Sequence, residues 1–248
     1  MITLPDTITK GQPWKYDVVC DFATPLPAKK IPYVNQYYVS PTDVAAEALR
    51  GNHYCYNYLI MNINSEGGLE HLCDVPYYDL KAPWTSSVSQ ALAALVFIRN
   101  NDEEYAQRVL DFMVMHHLRH DIFVEKANAI ILNGWMYSLY ALWKFMATFV
   151  VSRYERIFDN SIDRLSSILQ GFQMKNGWTY YDAYQMPATE FYHKVHKELY
   201  EELQSITGRL PYMDFSGNMP RLSRSWYLLK KHGLRSVPLY FRVKKWSR

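Results

Sequence analysis

From Pro41 onward apolar residues recur with the 3.6-residue period of helices, while residues 1–41, with six scattered prolines, show no period. That opening stretch is expected to run extended over the surface. Val44, Ala45, Ala48 and Leu49 make a short amphipathic helix ended by Gly51, and residues 52–63 make a second, aromatic-rich one. A loop with Gly67, Gly68 and Pro76 leads to Pro83. The next helix turns Val88, Ala91, Leu92, Leu95 and Val96 inward, and Ser87 with Gln90 has capping-box spacing at its start. Asp102 is the expected cap of a further helix with Tyr105, Val109, Phe112, Met113 and His116 along one face. His116, His117 and His120 gather at its end, where the helix dipole favours imidazolium.

The run from Ala129 to Val151 is long enough to cross a bilayer. It also carries Asn133, Gly134, Ser138, Lys144 and Thr148, so a helix buried in a helical domain is the expectation. Phe158, Ile162, Leu165, Ile168 and Leu169 mark another helix, with Gly171 as its C-cap. Asn176-Gly177, beside the β-favouring run Trp178 to Tyr181, signals a hairpin with a type I′ turn. Helix returns at Thr189, with Val195, Leu199 and Leu203 inward. The predicted fold is mainly α: an incomplete (α/α) toroid or barrel of antiparallel helix pairs, with a small β-hairpin near residues 172–185. Its parts are an extended lead-in (1–41), the helical domain (42–210) and a basic C-terminal tail (211–248).

Composition sharpens this picture. In 248 residues, 49% apolar and 21% charged with few Gly and Pro exclude disordered, collagen-like and low-complexity chains. Aromatic residues reach 16%, and 21 Tyr stand against 11 Phe. Rings with an apolar face and a polar tip suit sugar-holding clefts as well as interfaces. Three cysteines without CxxC spacing point to reduced thiols rather than a disulfide scaffold. The opening MITLPDTITKGQPWKYD lacks the pattern of a signal peptide, so a cytoplasmic setting is expected. After Asp214 the chain has nine basic and no acidic residues, so what precedes is net acidic. Such a tail is either a solvated extension or a surface for a polyanion, including the anionic inner face of a membrane.

The chain has no GxGxxG, P-loop or GxSxG motif. His193 and His196 are spaced i, i+3 without an HExxH pattern, so no metal and no cofactor is expected. Two aromatic groups remain: Trp178 to Asp182 on the hairpin, and Phe191-Tyr192-His193 with His196 at a helix start. Tyr192 and His196 share a helix face, and alternation sends Tyr180 and Tyr181 to opposite sides, so one of these faces any cleft. Packing of the hairpin against the bundle would also use these rings.

Four stretches, PWTSSVSQALAALVFIR (83–99), VEKANAIILNGWMYSLYAL (124–142), NGWTYYD (176–182) and FYHKVHKEL (191–199), resemble the C-terminal catalytic domain of the D-glucuronyl C5-epimerases of heparan-type polysaccharides. They come in the family's order and cover about half of the chain. The resemblance implies an (α/α) toroid and a tyrosine acid/base pair at Tyr181 and Tyr192. It implies substrate contacts at Asn133 and Glu125, and the substrate-binding set is completed by Lys126, His193, His196, Trp84, Gln90 and Tyr184. Departures accompany it. Lys126 and Ala127 stand where the family has Tyr and Pro, Ala91 replaces a Gly, and the family's carboxylate-holding Arg is replaced around Ala183 and Tyr184.

The implied reaction removes the C5 hydrogen, alpha to a carboxylate, and returns it on the other ring face. It needs one group per face and positive charge or donors at the carboxylate. At pH 7 only about one free tyrosine in a thousand is phenolate, so Lys126, His193 and His196 are the expected activating cations. The expected partner is a uronic-acid-containing polysaccharide, with no nucleic acid, and a homodimer is left open. A non-catalytic glycan-binding protein of the same fold, or a glycan lyase or hydrolase, are the alternatives.

Overall fold

The computed structural model describes residues 17–21, 24–30, 37–74, 80–125 and 129–218. Within residues 1–41, β1 (Asp17–Asp21), β2 (Thr24–Lys30) and β3 (Tyr37–Val39) form an antiparallel sheet in the order β1-β2-β3. Two helices follow, α1 (Pro41–Leu49) and α2 (His53–Asn62), the second capped by Asn52, whose side chain accepts from Tyr54 N and Cys55 N. β4 (Glu70–His71) pairs with β5 (Trp84–Thr85) and delivers the chain to α3 (Ser87–Arg99). Next come α4 (Glu103–His117), the two-stranded β6 (Leu118–Arg119) and β7 (Ile122–Phe123), and α5 (Leu132–Phe149). The series ends with α6 (Glu155–Ile168), a 3-10 turn at Leu169–Phe172, and α7 (Glu190–Thr207).

The protein is mainly helical, and α3 and α5 are its centre. Every residue from Ser87 to Ile98 and from Leu132 to Leu142 is buried, so α3 and the first three turns of α5 have no solvent stripe. Burial on all sides, with about 1.5–3 kcal/mol per large apolar side chain, explains how α5 keeps its few polar residues. Trp135 donates to Ser161 Oγ on α6 at 2.8 Å, and Ser138 donates to the Gly134 carbonyl. Helices α4, α6 and α7 are amphipathic and enclose the pair, with Phe158, Ile162 and Leu165 of α6 and Val195, Leu199 and Leu203 of α7 turned inward. Among the described residues no helix is long and apolar enough to cross a membrane.

Four local expectations are corrected. Ser87 and Gln90 form no capping box: Ser86 is the N-cap and makes no side-chain cap bond. Ser87 N donates instead to the Glu125 carbonyl at 2.9 Å, and the Gln90 amide donates to the Leu69 carbonyl. Asp102 precedes α4 but its carboxylate accepts from the Tyr56 hydroxyl rather than capping. Gly171 lies within the 3-10 turn after α6 and is not its C-cap. The hairpin has no type I′ turn. Gly177 N donates to Met174 O and Met174 N to Trp178 O, while Gly177 alone in the loop has positive φ, +78°. That is a three-residue loop closed by a left-handed glycine. Its flanks pair through the bridge of Gln173 with Thr179, and Tyr180 bridges onward to Pro187.

Candidate functional site

The candidate site gathers at the N-termini of α3 and α5, which long-range backbone bonds join to Glu125 and to the hairpin's return segment. Leu132 N, the first donor of α5, is taken by the Tyr181 carbonyl at 3.0 Å, and Ala183 N donates to Ile130 O. The hairpin's return segment is thereby fixed to the start of α5. Glu125 links the other side: its carbonyl caps α3 at Ser87, and its buried side chain lies against Gly134. A Cβ at Gly134 would stand 3.1 Å from Glu125 Oε2, so the glycine lets the carboxylate approach the helix. Asn133 and Gly134 occupy the second and third positions of α5, where an α-helix supplies no carbonyl to its own N–H groups.

Tyr181 and Tyr192 are brought together, with ring centroids 4.7 Å apart and planes tilted by 53°. Both are half-buried, so neither is sealed inside the core. Thr189 caps α7 by accepting from Tyr192 N, which sets Tyr192 in the first turn, where the helix dipole favours negative charge. Asp182, buried beside Tyr181, accepts from Met186 N at 3.0 Å and shapes the turn that exposes Tyr184.

Asn133 and Gln90 are buried polar residues near the starts of α5 and α3. Gln90 is fully buried and spends its amide N–H on Leu69, leaving Oε1 as an acceptor without a protein partner. Ser86 Oγ, Ser87 Oγ and Asn133 Oδ1 are also buried without a protein partner. Trp84 is half-buried, stacks on His71 at 4.0 Å and donates to the Cys73 carbonyl. Lys126 lies outside the described residues, as do the nine basic residues of the tail.

His193 and His196 are not the expected cations. Burial pushes the His196 imidazole down to about 3 and lowers that of His193, so both are neutral at pH 7. Both present Nδ1 to Thr179 Oγ1, at 3.0 and 2.9 Å, and His193 stacks on Trp178 at 3.9 Å. His117 is corrected in the same way. It is buried at the end of α4, its imidazole pushed down to about 4 mainly by desolvation, and it is bonded to Val124 O and Thr85 Oγ1. Sequence reasoning missed Thr179, Thr85 and Gly134, because their roles depend on partners from distant segments.

The model of the D-glucuronyl C5-epimerase C-terminus family matches residues 69–219. The chain belongs to this family. No curated protein matches it. The epimerase-family match begins at the bridge residue Leu69, whose carbonyl holds Gln90, and ends just past the segment that packs on the hairpin loop. It therefore takes in every candidate residue named above. The three-stranded sheet, α1 and α2 precede it.

Proposed function

We propose that the chain is a uronate C5-epimerase, inverting C5 of a hexuronic acid within a polysaccharide, on a helix set that forms part of an (α/α) toroid. The contact between Tyr181 and Tyr192 at the starts of α5 and α7 carries this reading. Inversion needs two proton carriers, and two phenols tethered to different elements meet that need. The rings touch here, and in the proposed reaction their hydroxyls part to take C5 of the sugar between them. One phenolate removes the C5 hydrogen and the other phenol returns one from the opposite side. The enediolate charge is met by the positive ends of α5 and α7, with the Asn133 and Gly134 N–H groups as donors. Asn133 and Glu125 contact substrate hydroxyls, Lys126 supplies positive charge at the carboxylate, and Tyr184 and Trp84 offer aromatic faces to neighbouring sugars.

A second reading has one specific observation behind it. Ala183 and Tyr184, both exposed, stand where an arginine would clamp the carboxylate. A glycan-binding protein without turnover would tolerate that replacement. Incubation with an unsulfated glucuronate-containing polymer in deuterated water separates the readings. Deuterium at C5 is the expected result. Binding without label supports the second reading, and new unsaturated chain ends would identify a lyase.

A further inference from the structure

The hairpin carrying Tyr181 and the helix carrying Tyr192 meet a second time, at Thr179. Thr179 Oγ1 lies 3.0 Å from His193 Nδ1 and 2.9 Å from His196 Nδ1. Thr179 is fully buried, and both imidazoles are buried with it. His193 Nε2 faces the Phe215 carbonyl at 3.4 Å. One carbonyl fixes the direction of the whole chain. A carbonyl oxygen only accepts, so His193 carries its proton on Nε2 and its Nδ1 is bare. The Thr179 hydroxyl therefore donates to His193 Nδ1. Having one proton, it can only accept from the second ring, so His196 carries its proton on Nδ1. His196 Nε2 is left as a bare acceptor, consistent with its having no protein partner.

The spacing of the two contacts matches. Thr179 and Tyr181 are two residues apart on an extended segment, about 6.6 Å along it. His196 and Tyr192 are four residues apart on α7, about 6 Å along it. The segment and the helix therefore meet in two rungs, Thr179 on His196 and Tyr181 on Tyr192, which run antiparallel.

We infer that Thr179 is a positioning residue: its hydroxyl, accepting from His196 and donating to His193, holds the Tyr181 phenol in register with Tyr192. The use of that register for C5 inversion rests on the function proposed above, whereas the register itself does not.

The test pairs Thr179→Val, which keeps the shape and removes the hydroxyl, with Thr179→Ser, which restores it. Two-dimensional 15N–1H spectra of the full chain read the imidazole tautomers, and proton NOEs read the contact between the Tyr181 and Tyr192 rings. The wild type is expected to show His193 as the Nε2–H form, His196 as the rarer Nδ1–H form, and a ring-to-ring NOE. Thr179→Val loses the NOE and the fixed tautomers, and Thr179→Ser regains both. On the uronate polymer, kcat falls at least tenfold in Thr179→Val with KM within about twofold, and returns to within threefold in Thr179→Ser. Should the Val variant not fold, the tautomers of the wild type and of the Ser variant still decide. His196 found as the Nε2–H form, or an intact NOE in a folded Thr179→Val, overturns the proposal. A wild type without C5 exchange but with the expected tautomers and NOE would sink the epimerase reading and leave the register standing.

Discussion

Two threonine–histidine joints, one on each side of the candidate site, use the same parts in different ways. In the first, the His117 ring donates from Nδ1 to the Val124 carbonyl, so in its neutral form Nε2 accepts from the Thr85 hydroxyl. Both nitrogens are spent, and the ring ties β5 to the strand end that leads into Glu125. In the second, one hydroxyl serves two rings and leaves His196 Nε2 over. The first joint is closed and local to Glu125 and Ser87; the second spans the hairpin and α7 and aligns two side chains. A buried neutral histidine can thus act either as a rivet or as one link of a chain. Which it does depends on how many donors the partner threonine must supply.

The largest expected effect comes from breaking the closed joint. His117→Ala leaves the Val124 carbonyl and the Thr85 hydroxyl unpaired and opens a cavity, at a cost of about 4 kcal/mol measured by urea denaturation. A loss under about 1 kcal/mol would show that the ring is dispensable.

Acid should act on both joints. His117 and His196 have folded values of about 4 and about 3, below the ordinary 6.5, and His193 is also lowered. Between these values and 6.5 the unfolded chain binds more protons than the folded one. The stability held by neutral burial is therefore full above pH 6.5 and declines as pH falls toward 4, by about 1.4 kcal/mol per pH unit for each of His117 and His196, with His193 acting in the same direction. Urea midpoints at pH 7, 6 and 5 measure this. A flat profile would mean that the rings charge freely.

A smaller effect on folding, but a selective one on function, is expected from Gly134→Ala. Helix propensity gains about 1 kcal/mol, and the new methyl presses on Glu125 at 3.1–3.3 Å. Stability then changes by less than about 1 kcal/mol, while C5 exchange falls roughly tenfold. Tyr184 belongs to neither joint and is 57% exposed. Tyr184→Ala should move stability by less than about 0.5 kcal/mol and raise KM a few-fold, read by denaturation and by steady-state kinetics.

The helices were legible because their apolar faces are local patterns: α6 and α7 bury the residues their period selects. The buried character of α5 was legible from its length together with Asn133 and Lys144. The helix starts were not legible. Short-range capping rules assign Ser87 to Gln90 and Asp102 to its own helix. The fold instead satisfies Ser87 N from Glu125 and Leu132 N from Tyr181, partners 38 and 49 residues away. The histidines misled for the same reason. Sequence marks them as cations at helix ends, but desolvation by segments distant in sequence decides their charge. The family resemblance pointed to the tyrosines through motif order, whereas nothing near Thr179 announced that it would join two rings.

The most direct test follows C5 of a glucuronate polymer in deuterated water with the wild type, Tyr181→Phe and Tyr192→Phe. Each variant removes one phenol oxygen and keeps its ring, so the contact between the two rings should persist. The account predicts inversion with C5 label for the wild type and a loss of at least 100-fold in inversion for each variant, the scale of a lost acid/base group. Wild-type inversion by either variant would contradict it.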